Sequence, residues 1–479
     1  MGLKAAEEYI ESVKKLKPKV YLGGEKVEDI LDNPVTRSVV DTTAKVYELS
    51  ADPAYQDLMT TTSHLTGQRI NRAVHVHRSV EDNLARVKMA RFTSQKLGTC
   101  NYRCPGAEAI TPLAGLTWEV DHTLGTEYNK RFNNFLKHLQ ENDLVCSTCA
   151  IDPKGDRSKR VLDQDPDIYI RIVEKKSDGI VIRGAKPQVT GSYAAHEHLV
   201  LFTLDCHRGE EDYAIAFAVP NETEGLTYIC QYSPYTAERI MHKGDISLLG
   251  NPYGQRETAM VVFDDVFVPW ERVFFCGEVD FIPDFFNRFF RLHGAHCSGG
   301  CKPGWVDLII GASQLIIEYS GLQHLPHIRE DLVEMIRLNE TLYACSIAAA
   351  LTGREEPEGS GVYIPSYLAQ TGKIAGTTGF WEIMKLAGDI AGALVVTMPS
   401  ERELENPETK GYIEKYLKAA APAKDRLRIA KFLQHWVAGL HGVATWHGGM
   451  SPQYHREILY QGVNLEEKKS LAKALAGIE

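Results

Sequence analysis

Between about residues 146 and 280 the chain alternates apolar and polar positions with a period of two, which is typical of β-strands. Ile168 and Ile172 lie on one face of a predicted strand, and the Asp178-Gly179 dipeptide supplies a tight turn before the alternation resumes. This pattern predicts a β-hairpin. Further strand patterns indicate that the region is an antiparallel β domain: 198–204, 213–219, 226–232 and 259–268.

The chain on either side of this region follows helical spacing. Segments 5–16 and 83–94 are rich in helix formers, and apolar residues in 425–440 recur at three- and four-residue intervals along one face. Segments 306–319 and 332–351 are apolar on more than one side, which predicts helices buried by neighbours in a bundle. Three domains are therefore predicted: an N-terminal helical domain at 1–145, a middle β domain at 146–280 and a C-terminal helical bundle at 281–479.

The predicted order of helices, then sheet, then helical bundle is the order of the acyl-CoA dehydrogenase fold. The phrase Phe263-Asp-Asp-Val-Phe-Val-Pro269 also resembles a strand-ending signature of that superfamily. The expected fold class is therefore α+β and acyl-CoA-dehydrogenase-like.

Composition and charge exclude several classes of function. A hydrophobic content of 44% over 479 residues is ordinary for a protein with a buried core. The formal net charge of −10 opposes binding to nucleic acid, and the chain has no dense stripe of Lys and Arg with interleaved aromatics. No apolar run reaches the roughly 18 residues of a membrane span, and the charged N-terminus lacks the apolar core of a secretion signal. We expect a cytoplasmic protein that binds neither nucleic acid nor membrane.

Without a predicted export signal, the ten cysteines are interpreted first as thiols, metal ligands or redox groups. Cys100 and Cys104 are spaced so that both project from one face of a helix or turn. A second group of soft ligands, residues 293–301, contains two histidines and two cysteines. Gly299 and Gly300 are predicted to let the backbone approach a bulky inorganic core. The two half-sites suit an iron–sulfur cluster or zinc, and unrelated pairs of buried thiols are the alternative.

Short motifs along nearly the whole chain resemble those of the 4-hydroxybutyryl-CoA dehydratase family. They are Leu58-Met-Thr-Thr-Thr62, Gln140-Glu-Asn-Asp-Leu144, Asp152-Pro-Lys-Gly-Asp-Arg157, Ile172-Val-Glu-Lys175, Arg183-Gly-Ala-Lys186, Thr190-Gly-Ser192, His196-Glu-His198, Gly299-Gly-Cys-Lys302 and 391–400. The resemblance implies a [4Fe-4S] cluster with four ligands: Cys100, Cys104, Cys301 and His293. Here His293 precedes Cys301 by eight residues, one more than the family spacing, so His296 and Cys297 stay open as alternative fourth ligands.

The same resemblance implies FAD as a second cofactor. Thr190-Gly-Ser192 ends a predicted strand, where hydroxyls and a flexible backbone can hydrogen-bond a flat heteroaromatic ring. The loop that follows Asp152 carries cationic side chains that can neutralise a pyrophosphate or a CoA phosphate. A third stretch, at the end of a C-terminal helix, is expected to meet the FAD of a neighbouring subunit, which implies a homotetramer. The implied cofactor-binding residues are Asp152, Lys154, Arg157, Thr190, Gly191, Ser192, Asp389 and Gly392.

The family reaction removes water from a 4-hydroxyacyl thioester by breaking a β C–H bond that is barely acidic, so general base catalysis alone would fail. Deprotonation beside the thioester followed by one-electron oxidation to flavin would make this hydrogen far more acidic. The iron bound by His293 would act as a Lewis acid on the departing hydroxyl. The resemblance therefore implies an oxygen-sensitive dehydratase or isomerase that acts on a hydroxyacyl-CoA or an unsaturated acyl-CoA.

The chain departs from the family at several catalytic positions. Thr258 and Ala444 stand where the family has its acid and base glutamates, and Glu257 would recover one role if its strand carries a bulge. Tyr102 stands where the family has a glutamine and Ser298 where it has a tyrosine, and a phenol moved across the site is one interpretation of this pair of replacements. The candidate catalytic residues are His293, Glu257, Lys302, Tyr102 and, as a further base, His447.

Two other functions stay open at this point. A flavin-dependent monooxygenase of the 4-hydroxyphenylacetate 3-hydroxylase type shares the expected fold and has no cluster, and the four placed cysteines argue against it. A cluster and flavin redox protein without a substrate of its own is favoured by the missing glutamates. Cys146 and Cys149, just before the Asp152 loop, are interpreted either as plain buried cysteines or as a redox or ligand pair.

Overall fold

The computed structural model describes residues 3–203, 206–243, 245–446 and 450–478, with the side chains at 105–107, 440, 444 and 446 left aside. Its N-terminal part is mainly helical. The helices are α1 (Ala6–Lys14), α2 (Pro34–Ala51), α3 (Gln56–Met59), α4 (Val80–Leu97), α5 (Cys104–Leu124) and α6 (Tyr128–Glu141). The same part contains two short hairpins, formed by β1 (Val20–Leu22), β2 (Glu25–Val27), β3 (Thr60–Thr62) and β4 (Arg69–Asn71).

The middle part is built from strands, as the period-two pattern predicts. The strands are β5 (Cys146–Cys149), β6 (Arg171–Lys175), β7 (Gly179–Thr190), β8 (Glu197–Val200), β9 (Ile215–Pro220), β10 (Leu226–Cys230), β11 (Thr258–Pro269) and β12 (Val273–Cys276). Between β10 and β11 the chain forms α7 (Pro234–Met241) and α8 (Ile246–Leu249). The predicted hairpin is confirmed, because β6 pairs antiparallel with β7 and aligns Ile172 with Ile182.

The strands form two principal sheets, a six-stranded sheet in the order β2-β1-β10-β11-β7-β6 and a four-stranded sheet in the order β12-β9-β8-β5. The pairs β1–β10 and β5–β8 are parallel, so the prediction of a purely antiparallel domain is wrong. Both parallel pairs join strands that are distant in sequence, and local alternation does not encode the direction of such partners. The hairpin β1–β2 also brings N-terminal residues into the middle sheet.

The C-terminal part returns to helices, as predicted. They are α9 (Ile282–His293), a π-helix (Gly294–Cys301), α10 (Lys302–Ser320), α11 (Pro326–Leu351), α12 (Leu368–Ala391), α13 (Leu394–Thr397), α14 (Lys410–Tyr416), α15 (Ala423–Val437), α16 (Leu440–Trp446), α17 (Pro452–Gly462) and α18 (Leu465–Ala476). A two-stranded pairing of β13 (Arg354–Glu355) with β14 (Tyr363–Ile364) lies between α11 and α12.

Burial follows the predicted faces. On α15, Leu433 and Trp436 are buried, and Ile429 and Phe432 pack against the same core as the apolar face of α10. One core lies between the two sheets, a second lies between the four-stranded sheet and the helices α5, α6 and α9, and a third lies between the long C-terminal helices. Among the described residues, no helix combines the length and the apolar character that crossing a bilayer requires.

Candidate functional site

The two predicted half-sites meet where the loop between α4 and α5 faces the π-helix. Cys100 lies in that loop and Cys104 is the first residue of α5. Cys301 ends the π-helix, and its thiol donates a hydrogen bond to the sulfur of Cys104. The Cys100 sulfur is close enough to raise the pKa of Cys301 through its charge. Thiols from two distant helical parts of the chain therefore share one site, which we call the thiol site: Cys100, Cys104, Cys297 and Cys301.

The loop that carries Cys100 is held from both sides. Gly98 ends α4 in the left-handed conformation, with φ of +60°, which a residue with a side chain rarely adopts. The Trp305 indole N–H donates a hydrogen bond of 3.0 Å to the carbonyl of Thr99. The Asn251 amide donates one of 3.2 Å to the carbonyl of Gly98. Contacts from the C-terminal bundle and from the segment after α8 thus set the position of the loop.

The second half-site is the π-helix, a winding with i→i+5 hydrogen bonds that is frequent at functional sites. It packs against α4, α11 and α12. A Cβ on Gly299 would overlap the side chain of Ser346, and one on Gly300 would lie 2.6 Å from the Cβ of Ala90. The prediction that these glycines face an inorganic core is wrong, because the space that they leave open is filled by α11 and α4.

The four thiols differ in their electrostatic state. The hydrogen bond from Cys301, assisted by the Arg86 guanidinium 2.9 Å away, lowers the pKa of Cys104 to about 6. Burial raises the pKa of Cys100 and of Cys297. The hydrogen bond to Cys104 and burial together hold the pKa of Cys301 well above its usual value. The site therefore stabilises one thiolate beside an arginine and keeps the other three sulfurs protonated.

Glu108 lies one helical turn after Cys104 and links it to His293. Its Oε1 is 3.8 Å from the Cys104 sulfur, and its Oε2 is 3.4 Å from Nε2 of His293. Burial raises the pKa of Glu108 well above its usual value, and burial, assisted by the charge of Lys373, lowers that of His293. Nδ1 of His293 is buried and has no hydrogen-bond partner among the described residues. Sequence reasoning missed Glu108, although its i+4 spacing from Cys104 is a signal of a shared helix face.

Three cations surround the same thiols. Lys302 begins α10, Lys373 lies on α12, and half-buried Arg256 precedes β11. Each of them favours the charged form of the Cys297 thiol. Burial lowers the pKa of both lysines, that of Lys373 to about 8. Lys302 was a predicted candidate, whereas Lys373 and Arg256 were not, because nothing in their local sequence indicates that they meet the cysteines. The arrangement can bind an anion or neutralise negative charge that develops on a substrate.

Tyr102 and Glu257 are adjacent and form the sheet side of the site. The Tyr102 hydroxyl accepts a hydrogen bond of 3.0 Å from the backbone N–H of Glu257 and donates one of 3.2 Å to the carbonyl of Gln255. Burial raises the pKa of Glu257 to about 7. Its Oε2 accepts a hydrogen bond of 3.0 Å from the side chain of Gln231. Tyr102 thus anchors the backbone that enters β11, and Glu257 is a buried acid poised near neutral pH.

The strand after Glu257 is irregular, and a bulge in this strand is the condition under which Glu257 could take the role of a family glutamate. The register between β11 and β7 shifts between Ala259 and Val261, two residues beyond the glutamate. The pKa values of Cys100, Cys104 and Cys297 nevertheless respond to the carboxyl group of Glu108. After burial, the pKa of Glu257 responds mainly to Gln231 and Arg239.

The predicted flavin tripeptide lies next to Tyr102. Thr190 ends β7, and Gly191 has a φ of +63° with its Cα against the Tyr102 ring, where an added Cβ would be 2.6 Å from Cδ1. The Ser192 hydroxyl is buried and has no hydrogen-bond partner among the described residues. The tripeptide and the thiol site therefore lie near the same tyrosine. The pKa of Tyr102 is raised first by burial, then by the charge of Glu257 and then by that of Cys100.

The other predicted cofactor residues lie farther out. Asp152 accepts a hydrogen bond of 2.6 Å from the fully buried Lys186. Lys154 and Arg157 are exposed in the loop that follows. At the end of α12, Asp389 and Gly392 are likewise exposed.

Three remaining candidates have different positions. His296 is fully buried, with neither ring nitrogen hydrogen-bonded among the described residues, and its ring centroid is 5.2 Å from that of His77. His447 lies outside the described residues. Cys146 and Cys149 are both buried, but Cys146 belongs to the core of α5, α6 and α9 and Cys149 to that of the six-stranded sheet. Their side chains leave β5 on opposite faces.

Comparison with known proteins adds a family to this geometry. The 4-hydroxyphenylacetate 3-hydroxylase N-terminal profile matches residues 5–275, and the C-terminal profile of the same enzyme matches residues 283–477. The chain is 42% identical over 100% of its length to 4-hydroxybutyryl-CoA dehydratase/vinylacetyl-CoA-Δ-isomerase of Clostridium aminobutyricum, which is covered over 100% of its own length. The chain belongs to the family of 4-hydroxybutyryl-CoA dehydratase and 4-hydroxyphenylacetate 3-hydroxylase.

Other members of the family are more distant in sequence and similar in fold. An oxygen-tolerant archaeal 4-hydroxybutyryl-CoA dehydratase from N. maritimus superposes with a TM-score of 0.95 at 36% identity, covering 100% of this chain and 95% of that one. The oxygenase component of 4-hydroxyphenylacetate 3-monooxygenase, crystallised with FAD, gives 0.88 at 25% identity and covers 98% of both chains. The oxygenase component of the Thermus thermophilus monooxygenase is 28% identical over 91% of this chain and 88% of its own length.

Proposed function

We propose that this family member is a dehydratase or isomerase of acyl-CoA thioesters that uses FAD and a [4Fe-4S] cluster. The observation that carries the proposal is that thiols from the α4–α5 loop and from the π-helix converge in this chain. The chain is also 42% identical to a 4-hydroxybutyryl-CoA dehydratase/vinylacetyl-CoA-Δ-isomerase. A substrate of that class is a 4-hydroxyacyl-CoA or an unsaturated acyl-CoA.

The donor set of the thiol site fits an iron–sulfur cluster. Four sulfurs act on one another electrostatically at the junction of α5 and the π-helix, and thiolates are the usual ligands of [4Fe-4S] clusters. Among the residues that the structure describes, no three His, Cys, Asp or Glu side chains form a group that could hold a metal ion. A cluster is far wider than one ion, so it takes thiols that a single ion cannot bridge. Cys100, Cys104 and Cys301 would hold it.

The residues beside Tyr102 fit a flavin. The buried hydroxyl of Ser192, which has no hydrogen-bond partner among the described residues, would offer a hydrogen bond to a flavin ring. The exposed cations Lys154 and Arg157 would pair with phosphates at the solvent side. Support from relatives is the oxygenase component with bound FAD at 25% identity over 98% of the chain.

Each part of the site then has a definite task. When bound, FAD supplies one-electron oxidation and reduction, and the cluster supplies a Lewis acid. Lys302, Lys373 and Arg256 stabilise negative charge on the thioester, because they present cations where Cys297 faces the site. Glu257, with its pKa near 7, holds or releases a proton near neutral pH. Burial of Lys302, Lys373 and Glu257 excludes water from these groups and strengthens their interactions.

The fold and the oligomeric state complete the proposal. The fold is an acyl-CoA-dehydrogenase-like arrangement of a helical part, a β part and a helical bundle. The protein would be a homotetramer. Asp389 and Gly392, at the exposed end of α12, would contribute to the FAD site of a neighbouring subunit.

The test is anaerobic purification followed by cofactor and activity measurements. We expect a brown protein with about four irons per chain, bound FAD, and turnover of 4-hydroxybutyryl-CoA or vinylacetyl-CoA, followed by the absorbance of a conjugated enoyl thioester. A yellow protein without iron that hydroxylates phenols would instead identify a monooxygenase. A coloured protein that is inert toward both thioesters would identify a redox protein without its own substrate.

A further inference from the structure

One oxygen of the Glu257 carboxyl group accepts a hydrogen bond, and the other has no partner among the described residues. We propose that Gln231 and Thr258 are positioning residues that hold Oε2 of Glu257, so that Oε1 is the atom that takes up and releases the proton. This inference rests on the proposed function, in which Glu257 holds or releases a proton. It also gives a task to Thr258, which stands where the family has a glutamate.

The backbone of Glu257 is fixed from two sides. Its N–H donates a hydrogen bond of 3.0 Å to the Tyr102 hydroxyl, and its carbonyl accepts one of 3.1 Å from the N–H of Gly191. One residue later, the carbonyl of Thr258 accepts a hydrogen bond of 3.0 Å from the N–H of Gln231. Both backbone groups of the glutamate are satisfied, so the position of its carboxyl group depends on rotation of the side chain alone.

The orientation of the Gln231 amide follows from its three partners. Its Nε2 donates hydrogen bonds of 2.8 Å to the carbonyl of Arg256 and of 3.0 Å to Oε2 of Glu257. A backbone carbonyl can only accept, so the nitrogen of this amide must face it. The amide oxygen accepts a hydrogen bond of 2.8 Å from the Thr258 hydroxyl. Both N–H groups and the oxygen of the amide are therefore occupied, and the amide has one orientation.

The same contacts decide which carboxyl oxygen of Glu257 can carry a proton. Oε2 faces an N–H donor, and protonation of this oxygen would set two donors against each other. Oε1 is buried, with no hydrogen-bond partner among the residues that the structure describes. When the carboxyl group is neutral, Oε2 is therefore the carbonyl oxygen and Oε1 carries the hydrogen. Buried polar atoms are rarely left unpaired, so Oε1 is the oxygen that is available to a substrate.

The groups around Glu257 agree with an acid that changes its protonation near neutral pH. Burial raises its pKa to about 7, against the opposing effects of Gln231, Arg239 and Gln255, which favour the charged carboxylate. Four other buried groups feel the charge of Glu257: Tyr102, Tyr193, Cys230 and Tyr235. After burial, the hydrogen bond from Gln231 has the largest effect on this pKa, so loss of the amide would shift the pKa upward.

The experiment compares three variants of the anaerobically purified holoenzyme: Gln231→Leu, Thr258→Val and, as a matched control, Thr227→Val, at a half-buried threonine of the neighbouring β10. It measures the pH dependence of vinylacetyl-CoA turnover and the infrared band of the protonated Glu257 carboxyl group, identified by its absence in Glu257→Gln. We expect Gln231→Leu to raise the apparent pKa of turnover that depends on Glu257 by about one pH unit and to move the carbonyl band to higher frequency. Thr258→Val should have smaller effects in the same directions, and Thr227→Val should have none.

The wild-type infrared spectrum keeps the inference testable if Gln231→Leu fails to fold. Its carboxyl band should have the frequency of a carbonyl that accepts a hydrogen bond, and the frequency of a free carbonyl would overturn the inference. A fall in turnover of Gln231→Leu with an unchanged pH profile and carboxyl band would also overturn it, because Gln231 would then act only through the fold. The band can be titrated in protein without iron or turnover, and such a protein would overturn the proposed function itself, so the two failures are distinct.

Discussion

Two pairs of cysteines in this chain have nearly the same spacing and opposite surroundings. Cys100 and Cys104 stand at the entrance of α5 and contribute to one site with the sulfurs of the π-helix. Cys146 and Cys149 stand on β5 and point into two different hydrophobic cores. Cys100 lies in the loop before α5 and Cys104 begins the helix, so the two sulfurs can face one site, whereas residues three apart on a strand lie on opposite faces. Local conformation therefore decides whether a pair of cysteines can act together.

The sharpest test of this comparison replaces cysteines of the thiol site and of β5 by serine and compares the iron content of the variants. Cys104→Ser and Cys301→Ser remove sulfurs that touch each other, so we expect the affinity for iron to fall about tenfold or more, as loss of even an outer-shell group can do. Cys146→Ser and Cys149→Ser should leave the iron content unchanged. Iron and acid-labile sulfide per chain check both expectations, and loss of iron in the β5 variants would contradict the comparison.

The comparison of the two regions extends to their buried acids, Glu257 on the sheet side and Glu108 on the helix side. Burial raises the pKa of Glu257 from 4.5 to about 7, so the folded protein binds a proton that the unfolded chain releases. The stability that this proton contributes is complete below pH 4.5 and is lost as the pH rises through about 7. Glu257→Gln should remove roughly 3 kcal/mol of this pH dependence, measured by denaturant unfolding on both sides of that range.

Glu108→Gln is the variant on the helix side that corresponds to Glu257→Gln on the sheet side. It removes the carboxylate between Cys104 and His293, so we expect it to alter the spectrum of the cluster. Glu257→Gln should leave that spectrum unchanged. The comparison would be contradicted if the sheet-side variant changed the cluster and the helix-side variant did not.

Packing around the π-helix gives a third, smaller effect. Gly299→Ala places a methyl group on Ser346, so we expect a loss of about 2 kcal/mol in the free energy of unfolding. Combining it with Ser346→Gly should restore most of this loss. Gly311→Ala is the matched control, because an added Cβ there meets nothing within 4 Å, and it should be neutral or slightly stabilising.

The smallest expected effect belongs to the β5 pair. Cys149→Ser buries a hydroxyl in the core of the six-stranded sheet and should cost about 1–2 kcal/mol without change in bound flavin or iron. Cys345→Ser, half-buried on α11, should cost less. Thermal and denaturant unfolding of the holoenzyme measure the difference, and equal costs would mean that burial does not separate the two cysteines.

The sequence alone determined the main helices and strands and the cysteines of the site. Period-two alternation predicts the β6–β7 hairpin, and three- and four-residue spacing predicts the buried face of α15, because local periodicity reports which side of an element is buried. The i+4 spacing of Cys100 and Cys104 likewise predicts a shared face. These inferences need only neighbours along the chain.

Only the tertiary structure decided which distant groups meet these elements. Arg256 and Lys373 come from different parts of the chain, and no local pattern marks their approach to the thiols. The parallel pairing of β1 with β10 and the packing of Gly299 against Ser346 were set in the same way. Each depends on how whole elements pack, and packing joins residues whose separation along the chain carries no periodic signal.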